Sequence, residues 1–340
     1  MLYAHTINVD FTHRSLIMAK GNPSFGNLYA TSIDNYTDSL KNNYTKNSKL
    51  LEFLKKAGNI KTEDGGVEIL QNLEIGENGS YNRYDGAQSW SLESKKFATA
   101  ASFARKKVAV TMVVTGSELM ANEGKSRMID LIAAKIKNGA KTLQNGLATD
   151  VYSDGSDALQ IGGLRYLVSD TPSSGSVGGI DPSDSDNTWW RNYKGTCTLA
   201  TDNIPNVFNT AILNCTRNSD APKAVFVDNA FYTAYFKALQ ATQRFVSTEG
   251  KGGFMELSIN GLPIFCDQGI AATTMAGAIP ANHAYFLNTD YIYLRPHVRR
   301  NPAKKDRVNS INQDLYAEAW LWAGNMTTSG RAFQGVVVGA

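Results

Sequence analysis

Thr115 to Gly155 reads TGSELMANEGKSRMIDLIAAKIKNGAKTLQNGLATDVYSDG, and the fold turns on this stretch. Thr115 and Glu118 have the T-x-x-E spacing of a capping box, in which each side chain accepts from the other residue's backbone N–H, so a helix can start there. Apolar residues then recur at Met128, Ile132, Ile136, Ala140, Leu143, Leu147 and Val151. Steps of three and four place them on one helix face, with Met128, Ile132, Ile136, Leu143 and Leu147 as its core side. From Ser126 to Val151 such a helix is roughly 39 Å long at 1.5 Å per residue, and Asp154-Gly155 marks its stop. Gly139 and Gly146 lie inside it, each costing about 1 kcal/mol relative to alanine. A helix that long with two weak points is held by what it lies against. We read it as a spine with sheet-rich segments on either side.

Composition sets the bounds. At 340 residues the chain is two compact units, or one unit with extensions. A hydrophobic content of 42% supports a core, and 19% charged residues is below the usual globular share. A net charge of +3 argues against a dedicated nucleic-acid binder with a heavily basic face, while leaving room for a local patch. Cys197, Cys215 and Cys266 are odd in number and form no C-x-x-C, which suits buried, reduced thiols in a cytosolic protein. The opening MLYAHTINVDFTHRSLIMAK lacks the charged-then-apolar order of a signal peptide. No apolar run approaches the length of about 18 residues that spans a bilayer. The expectation is a soluble protein made in the cytoplasm.

Residues 1–30 are polar and aperiodic, an extended arm that orders only against a partner. Ile33, Tyr36, Leu40 and Tyr44 then repeat at helical spacing, and Leu50, Leu51 and Leu54 continue to Gly58, a C′ residue. Val67–Leu70 and Leu73–Ile75 are strand-like, and Tyr81, Tyr84 and Trp90 follow among polar residues. A two-stranded excursion with so little apolar content is marginal alone and needs a neighbour to cover its aromatics. Phe103–Val114 is a strand feeding the spine helix. Residues 156–195 are rich in Gly, Ser, Asp and Pro, with the pair Trp189-Trp190 as an anchor. An α/β region follows: helix Ile204–Thr216, strand Ala224–Val227, and helix Asn229–Phe245 with Asp228 as N-cap. Met255–Ile259 and Leu262–Cys266 flank Asn260-Gly261, a hairpin signal. Tyr285–Leu294, Leu315–Ala323 and Gly335–Val338 are further strands.

No catalytic constellation emerges: there is no H-E-x-x-H, G-x-x-x-x-G-K-[ST], G-x-S-x-G or zinc-type spacing. Gly250-Lys251-Gly252-Gly253 sits between a helix and a hairpin, the wrong context for a phosphate loop. His5, His13, His283 and His297 are scattered, and Asp150 and Asp154 read as turn formers. We expect no enzyme activity, cofactor or metal. The densest charge is Arg295, Arg299, Arg300, Lys304, Lys305 and Arg307, with Asp306 the only acid. A solvated loop, a contact with another copy of the chain and phosphate binding all remain open for it, although no interleaved aromatics suggest base stacking.

The order of parts resembles the major capsid proteins of tailed bacteriophages, the Hong Kong 97-like fold. Several stretches carry the resemblance: Leu50–Lys55 before Gly58; Asp64-Gly65-Gly66; Tyr84-Asp85-Gly86; Ile129-Asp130-Leu131 and Lys135–Asn138 in the spine; Ile161-Gly162-Gly163-Leu164; Thr188–Asn192; and Asn312-Gln313-Asp314 leading to Trp322–Thr327. It covers about residues 31 to 338. The resemblance implies an α+β chain with an N-terminal arm (1–57), an E-loop reaching across a neighbouring subunit (58–97) and a P-domain strand and spine helix (98–155). An A-domain (156–284) would follow, then P-domain return strands with a basic P-domain loop at 298–309 (285–330), and a last strand rejoining the A-domain sheet (331–340). Tyr81, Tyr84, Trp90, Arg299, Arg300, Lys304, Lys305 and Arg307 are the implied inter-subunit contacts.

The implied function is a structural capsid shell. Pentamers and hexamers of the chain would tile an icosahedral phage head around double-stranded DNA, touched non-specifically. A separate scaffolding protein, a portal and a decoration protein are the implied partners, with no membrane involved, and assembly in the host cytoplasm leads to the virion. Some relatives form a Lys–Asn crosslink. Lys95, Lys96 and Asn325 are near the corresponding places, but no residue marks the catalytic glutamate, so we expect no crosslink. No long charged helix opens the chain as a built-in scaffold, so we expect assembly without proteolysis. The alternatives are an encapsulin-like nanocompartment shell and, more distantly, an α/β enzyme with its site in 156–284.

Overall fold

The computed structural model describes residues 48–77, 80–87, 89, 96–121, 131–200, 203–240, 257–267, 279–309 and 312–340. The first helix, α1 (Lys49–Lys56), buries Leu50 and Leu54 and is capped at both ends. The Ser48 side chain accepts from Leu51 N–H. At the other end Gly58 (φ +73°) donates to the Lys55 carbonyl and Asn59 to the Leu54 carbonyl, the paired bonds of a Schellman motif. The helical repeat from Ile33 to Tyr44 lies outside the described residues.

The excursion that follows is built differently from the sequence reading. Val67–Leu70 and Leu73–Ile75 are a single strand, β1 (Glu68–Glu74), whose partner is β2 (Ala98–Ala104), antiparallel with Glu68 opposite Ala104. Gln71 and Asn72 do not interrupt it, because only one side of this ribbon is buried, through Ile69, Leu73, Ala101 and Phe103. Phe103–Val114, expected as one strand, is cut at Arg105. The Arg105 guanidinium turns back to donate to the Gly65 and Gly66 carbonyls. Beyond it β3 (Lys106–Thr115) begins a second sheet.

The capping box is present: Thr115 N–H donates to Glu118 Oε2 at 3.0 Å and Glu118 N–H to Thr115 Oγ1 at 3.3 Å. It opens α2 (Gly116–Ala121), a short helix ahead of the spine. The spine is described as α3 (Leu131–Asp150), 20 residues, about 30 Å. Its predicted start and Met128 lie outside the described residues, as does the Ile132 side chain. Leu143 is buried, and Ile136 and Leu147 are half-buried. Gly139 has a packing reason: a Cβ there would sit 2.3 Å from Met112 Sδ of β3.

The remaining elements are α4 (Leu164–Leu167), β4 (Tyr193–Cys197), α5 (Ile204–Cys215), β5 (Ala224–Val227), α6 (Asn229–Gln240), β6 (Leu257–Ile259), β7 (Leu262–Cys266), β8 (His283–Leu287), β9 (Ile292–Pro296), β10 (Ala303–Asn309), β11 (Leu315–Thr328) and β12 (Gly335–Gly339). Asp228 caps α6, accepting from Phe231 N–H at 3.0 Å. Asn260 (φ +49°) and Gly261 (φ +79°) form the two-residue turn between β6 and β7. Tyr285–Leu294 is two strands instead of one. A 3-10 turn at Thr289–Tyr291 separates them, and they enter different sheets. More than half of 298–309, expected as a loop, is strand β10, because it completes a hairpin with β11. β11 runs five residues beyond its expected end at Ala323.

β11 is the backbone of one sheet. It pairs with β3 along one side, with β10 along the other, and with β9 at its C-terminal end. The third sheet has six strands in the order β4-β12-β8-β5-β7-β6, so the last strand of the chain is inserted beside β8. Alternation along its central strands divides the interior. Ala224, Phe226, Tyr285, Leu287 and Val336 face a core shared with α1, the β1–β2 ribbon, the spine end, Trp190, Trp322 and Met326. Val225, Val227, Ala284, Phe286 and Val337 face α5 and α6 through Phe208, Phe231 and Tyr235. Both faces are dry, which accounts for the unbroken apolar runs in β5 and β8.

Candidate functional site

Among the described residues no group of His, Cys, Asp or Glu could hold a metal ion, and no helix is long and apolar enough to cross a membrane. The three cysteines are free thiols, and burial pushes Cys215 up to about 12, so it is an unreactive packing residue. What the surface offers instead is uncovered apolar and basic side chains. Val67 and Tyr81 are 90% and 83% exposed, and Leu70, Tyr84 and Phe97 are also mostly exposed. All five lie on or beside the β1–β2 ribbon, whose other side is buried. Scattered exposed apolar residues are ordinary; a run of them on and beside one ribbon is not.

The basic residues divide into three kinds. Arg295 on β9 is half-buried, ion-paired to Glu63 and bonded to Gln71 of β1, so it anchors the ribbon's base and does not belong to the exposed set. Arg299 and Arg300 stand exposed in the turn before β10. Lys304 and Lys305 are exposed on β10, with Lys304 paired to Glu318 of β11 at 2.9 Å. Such a surface pair contributes about 1 kcal/mol or less. Arg307 lies on β10, but its side chain, like all of Trp90, is outside the description.

Behind these surfaces polar pins join the elements. Asp267, just past β7, accepts through Oδ2 from Ser48 Oγ (3.1 Å), Leu50 N–H (3.2 Å) and Tyr152 O–H (2.5 Å). One carboxylate thus holds α1, the spine end and the six-stranded sheet together. Burial first, then the Asp267 charge, pushes the Tyr152 phenol well above its ordinary value, so it stays a donor. Asn325 of β11 donates to the Ala104 carbonyl (2.7 Å) and accepts from Gly162 and Met326 N–H (2.9 Å each). Arg331 is wholly buried. It donates from Nε to the Leu167 carbonyl (2.8 Å), from Nη1 to the Trp190 carbonyl (3.1 Å) and from Nη2 to Asn192 Oδ1 (3.0 Å).

Comparison with solved structures identifies this architecture. A chain of the cyanophage A-1(L) capsid asymmetric unit superposes with a TM-score of 0.60 at 15% identity, covering 92% of this chain and 98% of its own. A chain of the SrpI encapsulin complex from Synechococcus elongatus matches with a TM-score of 0.57 at 7% identity, covering 92% and 94%. A chain of a native gene transfer agent capsid matches at 0.56 and 10% identity, covering 89% and 95%. The fold is the Hong Kong 97-like capsid fold. No family model matches the sequence and no curated protein does.

In the Hong Kong 97-like order of parts, two sequence motifs acquire a physical reason. Ile161-Gly162-Gly163-Leu164 crosses the end of the spine, where Gly163 N–H donates to Ser153 Oγ at 2.9 Å and Leu164 N–H to the Val151 carbonyl at 2.6 Å. Asp154 is a turn former, its Oδ1 accepting from Ser156 N–H at 3.0 Å. Asp150 instead accepts from the Gln160 amide, and burial raises its titration. The pins Arg331, Asp267 and Asn325 were not visible as such, since their partners are backbone groups or residues more than a hundred positions away.

Proposed function

We propose that this chain is a structural major capsid protein, self-assembling into an icosahedral shell around the double-stranded DNA of a tailed phage. The observation that carries this reading is the β1–β2 ribbon of a capsid-fold chain: one side packs on the core, while Val67, Leu70, Tyr81 and Phe97 on and beside it are left mostly exposed by the described residues. Neighbouring subunits would dry those side chains, and obligate interfaces of that kind bury several thousand Å². Closed symmetry also satisfies edges that would otherwise pair at random.

On this reading residues 1–57 are the N-terminal arm, 58–97 the E-loop, and 98–155 with the later return strands the P-domain. The A-domain runs from 156, and we place its boundary at the Asn288–Tyr291 turn, since His283–Leu287 lies in the six-stranded sheet. The last strand belongs with it. Pentamers and hexamers, a separate scaffolding protein, portal, decoration protein and non-specifically held DNA are the partners, within a virion assembled in the bacterial cytoplasm. The chain itself performs no chemistry.

Negative-stain microscopy of the expressed chain, alone and with a co-expressed scaffold, tests the proposal. Closed shells are the expected result, and a compact monomer under every condition would end it. The match to the SrpI encapsulin favours a second reading, a cargo-enclosing nanocompartment. Shells that carry a host protein and no DNA would select it.

Two variants probe the surfaces. Changing Tyr81 and Phe97 together to serine is expected to abolish shells while moving subunit stability by less than about 0.5 kcal/mol per site; shells of normal yield would remove the ribbon from the interface. Reversing Arg299, Arg300 and Lys305 to glutamate is expected to block assembly at low salt. Recovery of shells at about 1 M salt, where charges more than about 3 Å apart are screened, would show that repulsion is the cause, and unaltered low-salt assembly would refute the contact.

A further inference from the structure

We propose that His283 is a protonation-controlled clasp fastening the Leu164–Asp170 segment, and with it the end of the spine helix, to the six-stranded sheet. Both of its bonds are made while the ring carries two protons, and one of them is lost, with the charge, when it carries one. This goes beyond shell building and does not depend on it.

His283 opens β8 and is buried. Its Nε2 lies 3.0 Å from Asp170 Oδ2 and its Nδ1 lies 2.7 Å from the Ala281 carbonyl oxygen. Both ring nitrogens therefore face acceptors. A neutral imidazole has one N–H and must point a lone pair at one of those oxygens; only the imidazolium donates to both. Flipping the ring would put carbon against both oxygens and lose both bonds.

The charged surroundings come from three elements. Asp170 follows α4 and is 3.9 Å from Arg165 on α4, and Lys194 on β4 also acts on that carboxylate. Tyr285, two residues along β8, stacks on the imidazole at 6.0 Å. Burial and Arg165 oppose charging the ring, but the bonds to Asp170 and Ala281 outweigh them, so His283 titrates above its ordinary value of 6.5. Asp170 is reciprocally held below the usual carboxylate range, first by its bond to His283. The other Asp170 oxygen and the Tyr285 hydroxyl are buried without hydrogen-bond partners among the described residues, so the bond to His283 and the longer contact to Arg165 are what hold the carboxylate. Because Leu164 N–H is bonded to the Val151 carbonyl, holding Asp170 also holds the spine end.

The sign follows from linkage. A histidine titrating higher folded than unfolded adds stability that is complete below about pH 6.5 and is lost as pH rises through the native value. The test uses the unassembled full chain with its histidines labelled with nitrogen-15. At pH 6.5 both His283 nitrogens should carry protons, with a midpoint above 6.5. Above that pH, amide exchange in 164–171 should rise, beyond the intrinsic base-catalysed rate, by up to about tenfold per pH unit until the native midpoint is passed. His283→Gln should remove this extra pH dependence. Asp170→Asn should lower the His283 midpoint, which checks the partner without removing the ring. A wild-type ring carrying one proton at pH 6.5, or exchange in 164–171 that follows the intrinsic rate alone, would overturn the clasp even if neither variant folds.

Discussion

Replacing Arg331 by methionine is expected to destabilise the subunit by about 4 kcal/mol, although an uncompensated charge leaves the interior. The guanidinium is fully buried, and among the described residues no carboxylate is a hydrogen-bond partner of it. Burial pulls its pKa down to about 10, so it remains a cation at neutral pH and carries a desolvation cost. Methionine removes that cost and keeps much of the volume. It also strips the Leu167 and Trp190 carbonyls and the Asn192 amide oxygen of a charged donor, in residues that are themselves buried. Unsatisfied buried acceptors cost about 1–3 kcal/mol each, and hydrogen bonds to charged groups contribute about 1.5–3. Asn192 Oδ1 keeps its bond from Ser169 N–H, but two bared carbonyls and the loss of three bonds to a cation exceed the relief. Against a total stability of about 5–15 kcal/mol, the loss would be visible as a large drop in the urea midpoint. Lysine, with its charge but no planar fork, should fall between the two. A methionine variant within about 1 kcal/mol of the parent would show that the acceptors find other donors.

Gly163→Ala should be similarly damaging for a reason of space. Gly163 has an extended conformation that any residue could adopt (φ −78°). A Cβ there, however, would lie 2.4 Å from Ser153 N, 2.5 Å from the Asp150 oxygen and 2.6 Å from the Val151 oxygen. All three are backbone atoms at the end of the spine, so no side chain can swing aside. Overpacking usually costs about 1–3 kcal/mol and more when backbone must move, so a loss of at least about 3 is expected. Gly146→Ala is the internal control. No atom of the described residues lies within 4 Å of its would-be Cβ, so the helix should gain about 0.5–1 kcal/mol. Thermal unfolding of the two variants should therefore shift in opposite directions, and a shift of the same sign would contradict the packing described for Gly163.

Where the chain encodes structure through near neighbours, reading it was sufficient. The capping box at Thr115 and Glu118, the Schellman glycine Gly58, the Asp228 cap and the Asn260-Gly261 turn each close within a few residues. The errors fall where a distant group decides. The division between β8 and β9 is fixed by Gln334, whose side chain accepts from Asn288 N–H at 2.9 Å and donates to the Asn288 carbonyl at 2.9 Å. No local signal in Tyr285–Leu294 anticipates that. Arg105 reads as one more residue of a β pattern until its carbonyl partners at Gly65 and Gly66 are in place. The candidate surfaces were legible as residue types, Tyr81 and Tyr84 among polar neighbours and the arginines near 299. Their division into anchor, ion pair and exposed set was not, because Glu63, Gln71 and Glu318 meet them only in the folded chain.

The fourteen-residue strand β11 has a mechanical corollary. Its ten rungs with β3 stand side by side, so a pull along the strand axis loads them together instead of peeling them one at a time. Tension entering at the β10–β11 tip would pass down this single tie-bar into β9, and from there through the short turn at Thr289–Tyr291 to the centre of the other sheet. In a shell of the kind proposed above, internal pressure would then be borne in shear, the direction in which a hydrogen-bonded ribbon resists rupture best.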